Sequence, residues 1–314
     1  PLSSYVISQL VFFFPILSPL DKGLNKNEIL KTREFFEPST ISKSKEVNYI
    51  DIPMNPDDHR NQQEIYLQKV DRTLYRIYIP NNLIKPAKVI MWFHGGAFVI
   101  GSIRADNDIC NKLSINAKSI VVSVNYGLAP ENKFPVAIED SISSVKWVFN
   151  NIKKYGGNNK NIYLVGESAG GNIVLSILPY ISYLKIKGII SIYPPLQIFT
   201  YSNSHWRYAT KNGFLMLNHL IKAYDAYLDD IIDSQDERAN PLLISNKNIK
   251  LFPKTMVILA KYDILYDDGI LFSKKLKKND VPVDLIIYPD IHGFFNRFGY
   301  GENAFKDVIS FIQS

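Results

Sequence analysis

The chain has 314 residues, 46% of them hydrophobic, which suffices for one domain with a sizeable core and a small addition. Its single cysteine, Cys110, excludes an internal disulfide, leaves no second thiol for a metal site and fits a reducing compartment. The net charge of +6 raises nucleic acid or anionic lipid as partners. The lysines, however, are scattered through the polar stretches 22–33, 153–160 and 274–278, where solvated faces and loops account for them, so no nucleic-acid partner is expected.

In chain order, the first feature is an apolar run within residues 6–20 that includes Phe12, Phe13 and Phe14. It is shorter than a membrane span and is broken by Pro15 and Pro19, so it cannot cross a bilayer alone as a regular helix. The chain begins with Pro1 and not with methionine, which leaves a segment upstream open. Residues 27–36 read as an amphipathic helix, and 47–80 as a strand-rich entry with a strand at 73–79. From there strands at 89–93, 119–124, 162–165, 186–192, 255–259 and 283–288 alternate with helices near 104–117, 136–154, 169–180 and 267–279. Such alternation predicts an α/β fold with a mostly parallel central sheet covered on both faces by helices. Residues 194–250 break the rhythm, with Tyr201, Trp206, Tyr208, Phe214 and Tyr224 set among polar residues.

The most informative motif is Gly166, Glu167, Ser168, Ala169, Gly170, directly after the strand 162–165. A serine between two glycines at a strand-to-helix turn can be held exposed at a strand tip, because only residues without bulk let strand and helix pack that closely. The second motif is His94, Gly95, Gly96, Ala97, Phe98, after the strand 89–93. Paired glycines there let backbone N–H groups approach a reacting carbonyl and build an oxyanion hole. Two further residues complete a nucleophile, acid and base set. Asp263 follows the strand 255–259, where a carboxylate points into the site region. His292 follows the strand 283–288 and is left as the base by elimination: His59 lies in a polar loop, His205 and His219 lie in the irregular 194–250 segment, and His94 belongs to the glycine motif. Cys110, within the helix 104–117, reads as a buried structural cysteine.

The order Ser168, Asp263, His292 is that of α/β-hydrolases. With Tyr126, Gly127, Leu128, Ala129, Pro130, Glu131, then Phe134, Pro135 and Asp140, these motifs make the chain similar, through most of its length, to the hormone-sensitive-lipase family of α/β-hydrolase carboxylesterases, arylacetamide deacetylases included. The family usually has aspartate and arginine where Asn125 and Gly127 stand, a departure that bears on local loop geometry and not on the catalytic set. The elbow carries Glu167 where aspartate is commoner, and the longer acid is expected to keep the charge with little consequence.

The resemblance implies a single α/β-hydrolase domain with a small helical cap, made from residues 1–45 and 194–250, the latter supplying pocket walls. It implies a serine carboxylesterase that hydrolyses short- to medium-chain acyl esters of small molecules through an acyl-enzyme. Ser168 attacks, His292 is the base, Asp263 orients it, and the N–H groups of Gly96, Ala97 and Ala169 hold the oxyanion with Gly95 shaping the loop. Glu131 is expected to structure the loop beneath the site, and no metal or organic cofactor is needed. An amide or formamide hydrolase or deacetylase uses the same triad and stays open as an alternative, and a non-catalytic small-ligand receptor of the same fold would be expected to have lost His292. The N-terminus has two readings: a cap in a cytoplasmic enzyme, with the helix 27–36 lying over the active site by its apolar face, or a signal-anchor remnant that associates with the endoplasmic reticulum membrane.

Overall fold

The computed structural model describes residues 26–38, 41, 44–53, 73–210, 215–296 and 301–314. The apolar run at 6–20, His59 and Phe214 lie outside these residues. Among the described residues no helix is long and apolar enough to cross a membrane.

The elements in order are α1 (Lys26–Phe36), β1 (Val47–Pro53), β2 (Thr73–Pro80), β3 (Ala87–Phe93), α2 (Asn107–Ala117), β4 (Ile120–Val124), α3 (Val136–Asn151), β5 (Gly157–Glu167), α4 (Ala169–Ser176), α5 (Leu178–Ile181) and β6 (Gly188–Ile192). They continue with α6 (Asn203–Arg207), α7 (Leu217–Tyr227), α8 (Asn246–Ile249), β7 (Thr255–Ala260), α9 (Tyr266–Lys278), β8 (Val283–Tyr288) and α10 (Glu302–Gln313). The strands form one sheet in the order β1-β2-β4-β3-β5-β6-β7-β8. Only β2 runs against its neighbours; from β4 to β8 every pairing is parallel.

Both faces of this sheet are buried, so β3 is apolar throughout and its side chains alternate between two cores. Val89, Met91 and Phe93 enter one, packed by α3, α4, α5 and α9 through residues such as Val145, Ile173, Ile181 and Phe272. Ile90 and Trp92 enter the other, against Leu113 of α2 and Val308 and Ile312 of α10. Cys110 is buried in this second core, as its place on α2 implied.

The differences from the sequence reading have physical causes. The helix expected over 169–180 divides into α4 and α5, because Pro179 lacks the N–H and its ring crowds the preceding turn. Strand β5 begins at Gly157 and not at residue 162: the polar stretch from Asn158 to Asn161 is recruited by pairing that reaches back to Ala87 and Gly157. The helix expected from residue 104 starts at Asn107, after a turn in which Ser102 Oγ accepts the N–H groups of Arg104 and Ala105. Helix α10 was not anticipated, although Ala304, Val308, Phe311 and Ile312 repeat at helical spacing on its buried side.

Candidate active site

The serine sits where the sheet makes it stand out. Ser168 has φ +51°, a left-handed conformation that costs a side chain about 1–3 kcal/mol and persists only when its surroundings impose it. Here they do: Ser168 N–H donates to Ile192 O of β6 at 2.8 Å, and α4 starts immediately after it. Gly170 is obligatory in this packing, since a Cβ there would lie 2.0 Å from Phe93 O of β3. The strand-turn-helix pattern in the sequence therefore encodes a close approach of α4 to two strands.

Ser168 Oγ lies 2.9 Å from His292 Nε2, and His292 Nδ1 donates to Asp263 Oδ2 at 2.7 Å. Asp263 Oδ1 accepts Leu265 N–H at 3.0 Å, which fixes the carboxylate at the start of the turn after β7. All three side chains come from the ends of parallel strands, so the fold brings together residues 124 and 29 positions apart. Asp263 and His292 are buried, at 2% and 6% exposure, and Ser168 is partly open to a cavity of about 410 Å³.

The glycine loop stands beside the serine. Gly96, Ala97 and Phe98 have φ of +120°, +54° and +64°. The turn carries Val99 and Ile100 N–H back onto Gly96 O, while the N–H groups of Gly96 and Ala97 have no partner among the described residues. Ala169 opens α4, where the first amides have no intrahelical acceptor. All four predicted residues, Gly95, Gly96, Ala97 and Ala169, are thus in or next to this corner, and Gly95 and Ala97 line the cavity with Ser168. His94 supports the loop from below: its Nδ1 donates to Gly95 O at 2.7 Å and Tyr126 OH donates to His94 O at 2.7 Å. Burial lowers the His94 pKa to about 4, so it is a neutral strut.

Several participants were not legible in the sequence. Arg33 of α1, expected in a solvated stretch, is 4% exposed and donates to Val99 O, to Ala129 O and to both carboxylate oxygens of Glu131. Glu131 does structure the loop as expected, through this arginine. Through Arg33, helix α1 is tied to the glycine loop at Val99 and to the Ala129–Glu131 turn. Where Gly127 replaces the family's arginine, its N–H binds Asp140 Oδ2 at 2.9 Å and keeps the loop in place.

Glu167 requires a correction. Burial, together with nearby Asp106, raises its pKa to about 8, so near neutral pH it is largely protonated and does not carry the expected charge. Its Oε1 accepts from Tyr193 OH at 2.5 Å and its Oε2 from Asn296 Nδ2. Tyr193 in turn accepts Phe295 N–H and packs its ring 4.7 Å from that of His292. Glu167 therefore links the elbow to the loop of His292, a role with no local sequence signal. In the 194–250 segment Leu215, Leu220 and Tyr224 line the cavity, whereas Trp206, expected in the wall, is 63% exposed; His205 and His219 are buried.

A family model for the alpha/beta hydrolase fold matches residues 90–296. An arylesterase of Saccharolobus solfataricus is 30% identical over 247 residues, 77% of this chain and 79% of its own. Arylacetamide deacetylase-like 3 of Mus musculus is 25% identical over 81% of this chain and 76% of its own. Among solved structures, the hyperthermophilic esterase from the archeon Pyrobaculum calidifontis superposes with a TM-score of 0.77 at 26% identity, covering 100% of this chain and 98% of that one. With this sheet order, this elbow and these relatives, the chain belongs to the α/β-hydrolase fold family, in its hormone-sensitive-lipase-like branch.

Proposed function

We propose that the protein is a serine carboxylesterase in which Ser168 is the nucleophile, His292 the base and Asp263 the residue that holds the imidazole. The observation that carries this reading is the unbroken contact chain at the cavity wall, 2.9 Å from Ser168 Oγ to His292 Nε2 and 2.7 Å from His292 Nδ1 to Asp263 Oδ2. As Oγ attacks the ester carbonyl carbon, its proton passes to Nε2 and Asp263 stabilises the imidazolium. The tetrahedral oxygen is received by the N–H groups of Gly96, Ala97 and Ala169, with Gly95 shaping the loop. Collapse breaks the bond to the alcohol oxygen, which takes the proton from Nε2. Water, deprotonated by the same nitrogen, then attacks the acyl carbon, and collapse breaks the bond to Ser168 Oγ, which takes the proton back from Nε2 as the acid leaves. Relatives named as esterases support an ester as the substrate.

Residues 1–45 and 194–250 act as the cap in this reading, and among the described residues Pro195, Leu215, Leu220 and Tyr224 form its contribution to the pocket. A cavity of about 410 Å³ with these apolar walls favours small esters with short to medium acyl chains. The test pairs fluorophosphonate labelling with initial rates on p-nitrophenyl esters of increasing acyl length. Labelling at Ser168 alone, slowed by His292→Ala, with rates that peak at short or medium chains, is the expected result. Labelling at full rate without His292 would remove it as the base, and a preference for emulsified long-chain triglycerides would overturn the pocket assignment.

A further inference from the structure

One carboxylate in the pocket wall has no part in this chemistry. Asp106 lines the same cavity as Ser168 and His292. It stands at the N-cap of α2, where an aspartate ordinarily turns back onto the first amides of the helix, but here no side-chain cap bond forms. Its Oδ2 instead accepts Trp92 Nε1–H at 2.6 Å. Trp92 is fully buried in the sheet, so the carboxylate is anchored by a group that cannot move away. Its Oδ1 has no hydrogen-bond partner among the described residues and is open to the cavity.

A second cleft, of about 270 Å³, shares Ala105, Asp106 and Asn296 with the ester pocket, so the carboxylate stands where the two spaces meet. Among the described residues lining the ester pocket there is no lysine or arginine. The cleft holds Lys112, which pairs with Glu302 of the same cleft at 3.7 Å, and it adds Asp108. Among the described residues lining the two spaces, carboxylates therefore outnumber cations. A neutral substrate that fills this corner strips water from Oδ1 and offers nothing in exchange, whereas a cation replaces the lost hydration.

We propose that Asp106 is a specificity residue of the esterase pocket, selecting esters that bear an ammonium-type cation over neutral esters of the same shape. The inference rests on the carboxylesterase reading, and its test separates the two. Initial rates of the full chain are compared on acetylcholine and its carbon isostere, in which tert-butyl replaces trimethylammonium, to probe the alcohol side. The p-nitrophenyl ester of trimethylammoniobutyrate and its tert-butyl isostere probe the acyl side, with p-nitrophenyl acetate as the control. In at least one pair the kcat/KM ratio should favour the cation by about tenfold, the scale of an ion pair partly shielded from water. That ratio should fall towards unity in Asp106→Asn, whose amide oxygen still accepts from Trp92, and in about 0.5 M salt. Asp106→Ser serves if the asparagine variant does not fold. Turnover of the control with a wild-type ratio at or below unity in both pairs, or a cation preference that persists without the carboxylate, overturns this inference and leaves the esterase reading intact. Absence of turnover on every ester, the control included, overturns both.

Discussion

Two stretches of backbone at this site hold left-handed conformations, and they are held by different means. At the elbow, Ser168 is gripped by regular structure: β6 accepts its N–H at 2.8 Å, and α4 presses Gly170 against β3. In the glycine loop, Ala97 and Phe98 are as strained, but no strand holds them. Ala129 N–H donates to Phe98 O at 2.9 Å, the Tyr227 ring stacks on Phe98 at 4.0 Å, and Arg33 reaches Val99 O at 2.8 Å. A sheet spreads the cost of a strained residue over many bonds. A loop concentrates it on a few distant ties, and each tie becomes a point at which the geometry of the proposed oxyanion hole can be lost separately from the proposed nucleophile.

The largest expected effect tests the elbow. Ser168→Ala should lower kcat by about 10⁴-fold or more on p-nitrophenyl acetate, with an unchanged circular dichroism spectrum, because the hydroxyl contributes chemistry and little packing. An alanine variant of wild-type rate would mean that the elbow is not the reacting centre.

The next tests the loop. Arg33→Ala leaves the largely enclosed carboxylate of Glu131 without its cation and should cost about 3 kcal/mol in urea unfolding. Its kcat should fall as the loop relaxes, while Ser168 itself is untouched. Replacing both partners, as Arg33→Met with Glu131→Leu, should restore much of the stability, since the penalty comes from the unpaired charge. A kcat unchanged in Arg33→Ala would show that the loop keeps its shape without α1.

A smaller effect, readable through pH, lies in the elbow again. The Glu167 pKa is raised in the folded state to about 8 from 4.5, so the folded protein holds this proton more tightly than the unfolded chain. The stability this provides is fully present below the unfolded value and is lost as pH rises through about 8. Glu167→Gln is neutral at every pH and should gain about 2 kcal/mol relative to wild type between the acid and alkaline ends of that window, by urea titration. A constant difference between the two proteins across this range would refute the raised pKa.

The smallest effect concerns the stacking tie. Tyr227→Leu should cost about 1 kcal/mol through its lost stacking on Phe98 and edge contact with Phe134. Tyr227→Phe should be neutral or slightly stabilising, because the Tyr227 hydroxyl is buried and has no hydrogen-bond partner among the described residues. Thermal melts of the two variants side by side distinguish the ring from its hydroxyl.

The sequence by itself determined the parallel sheet, the elbow at Ser168 and the glycine loop at 94–98, and it singled out Asp263 and His292, which the fold brings into contact with Ser168. Each is written in contiguous residues: apolar runs that must be buried, glycines where chains approach, and the order in which strand ends deliver their side chains. What only the tertiary structure decided is how those residues are held and what surrounds them. Arg33 reads as one more solvated cation until residues 66 to 98 positions away bury it against Val99, Ala129 and Glu131. Glu167 reads as a charge until Tyr193 and Asn296 enclose it, and nothing in the expected helix 104–117 marks Asp106 as the residue whose carboxylate Trp92 holds. Sterics and periodicity act between neighbours in the chain and so are legible there. Desolvation and charge pairing act between neighbours in space, and those neighbours are known only once the chain has folded.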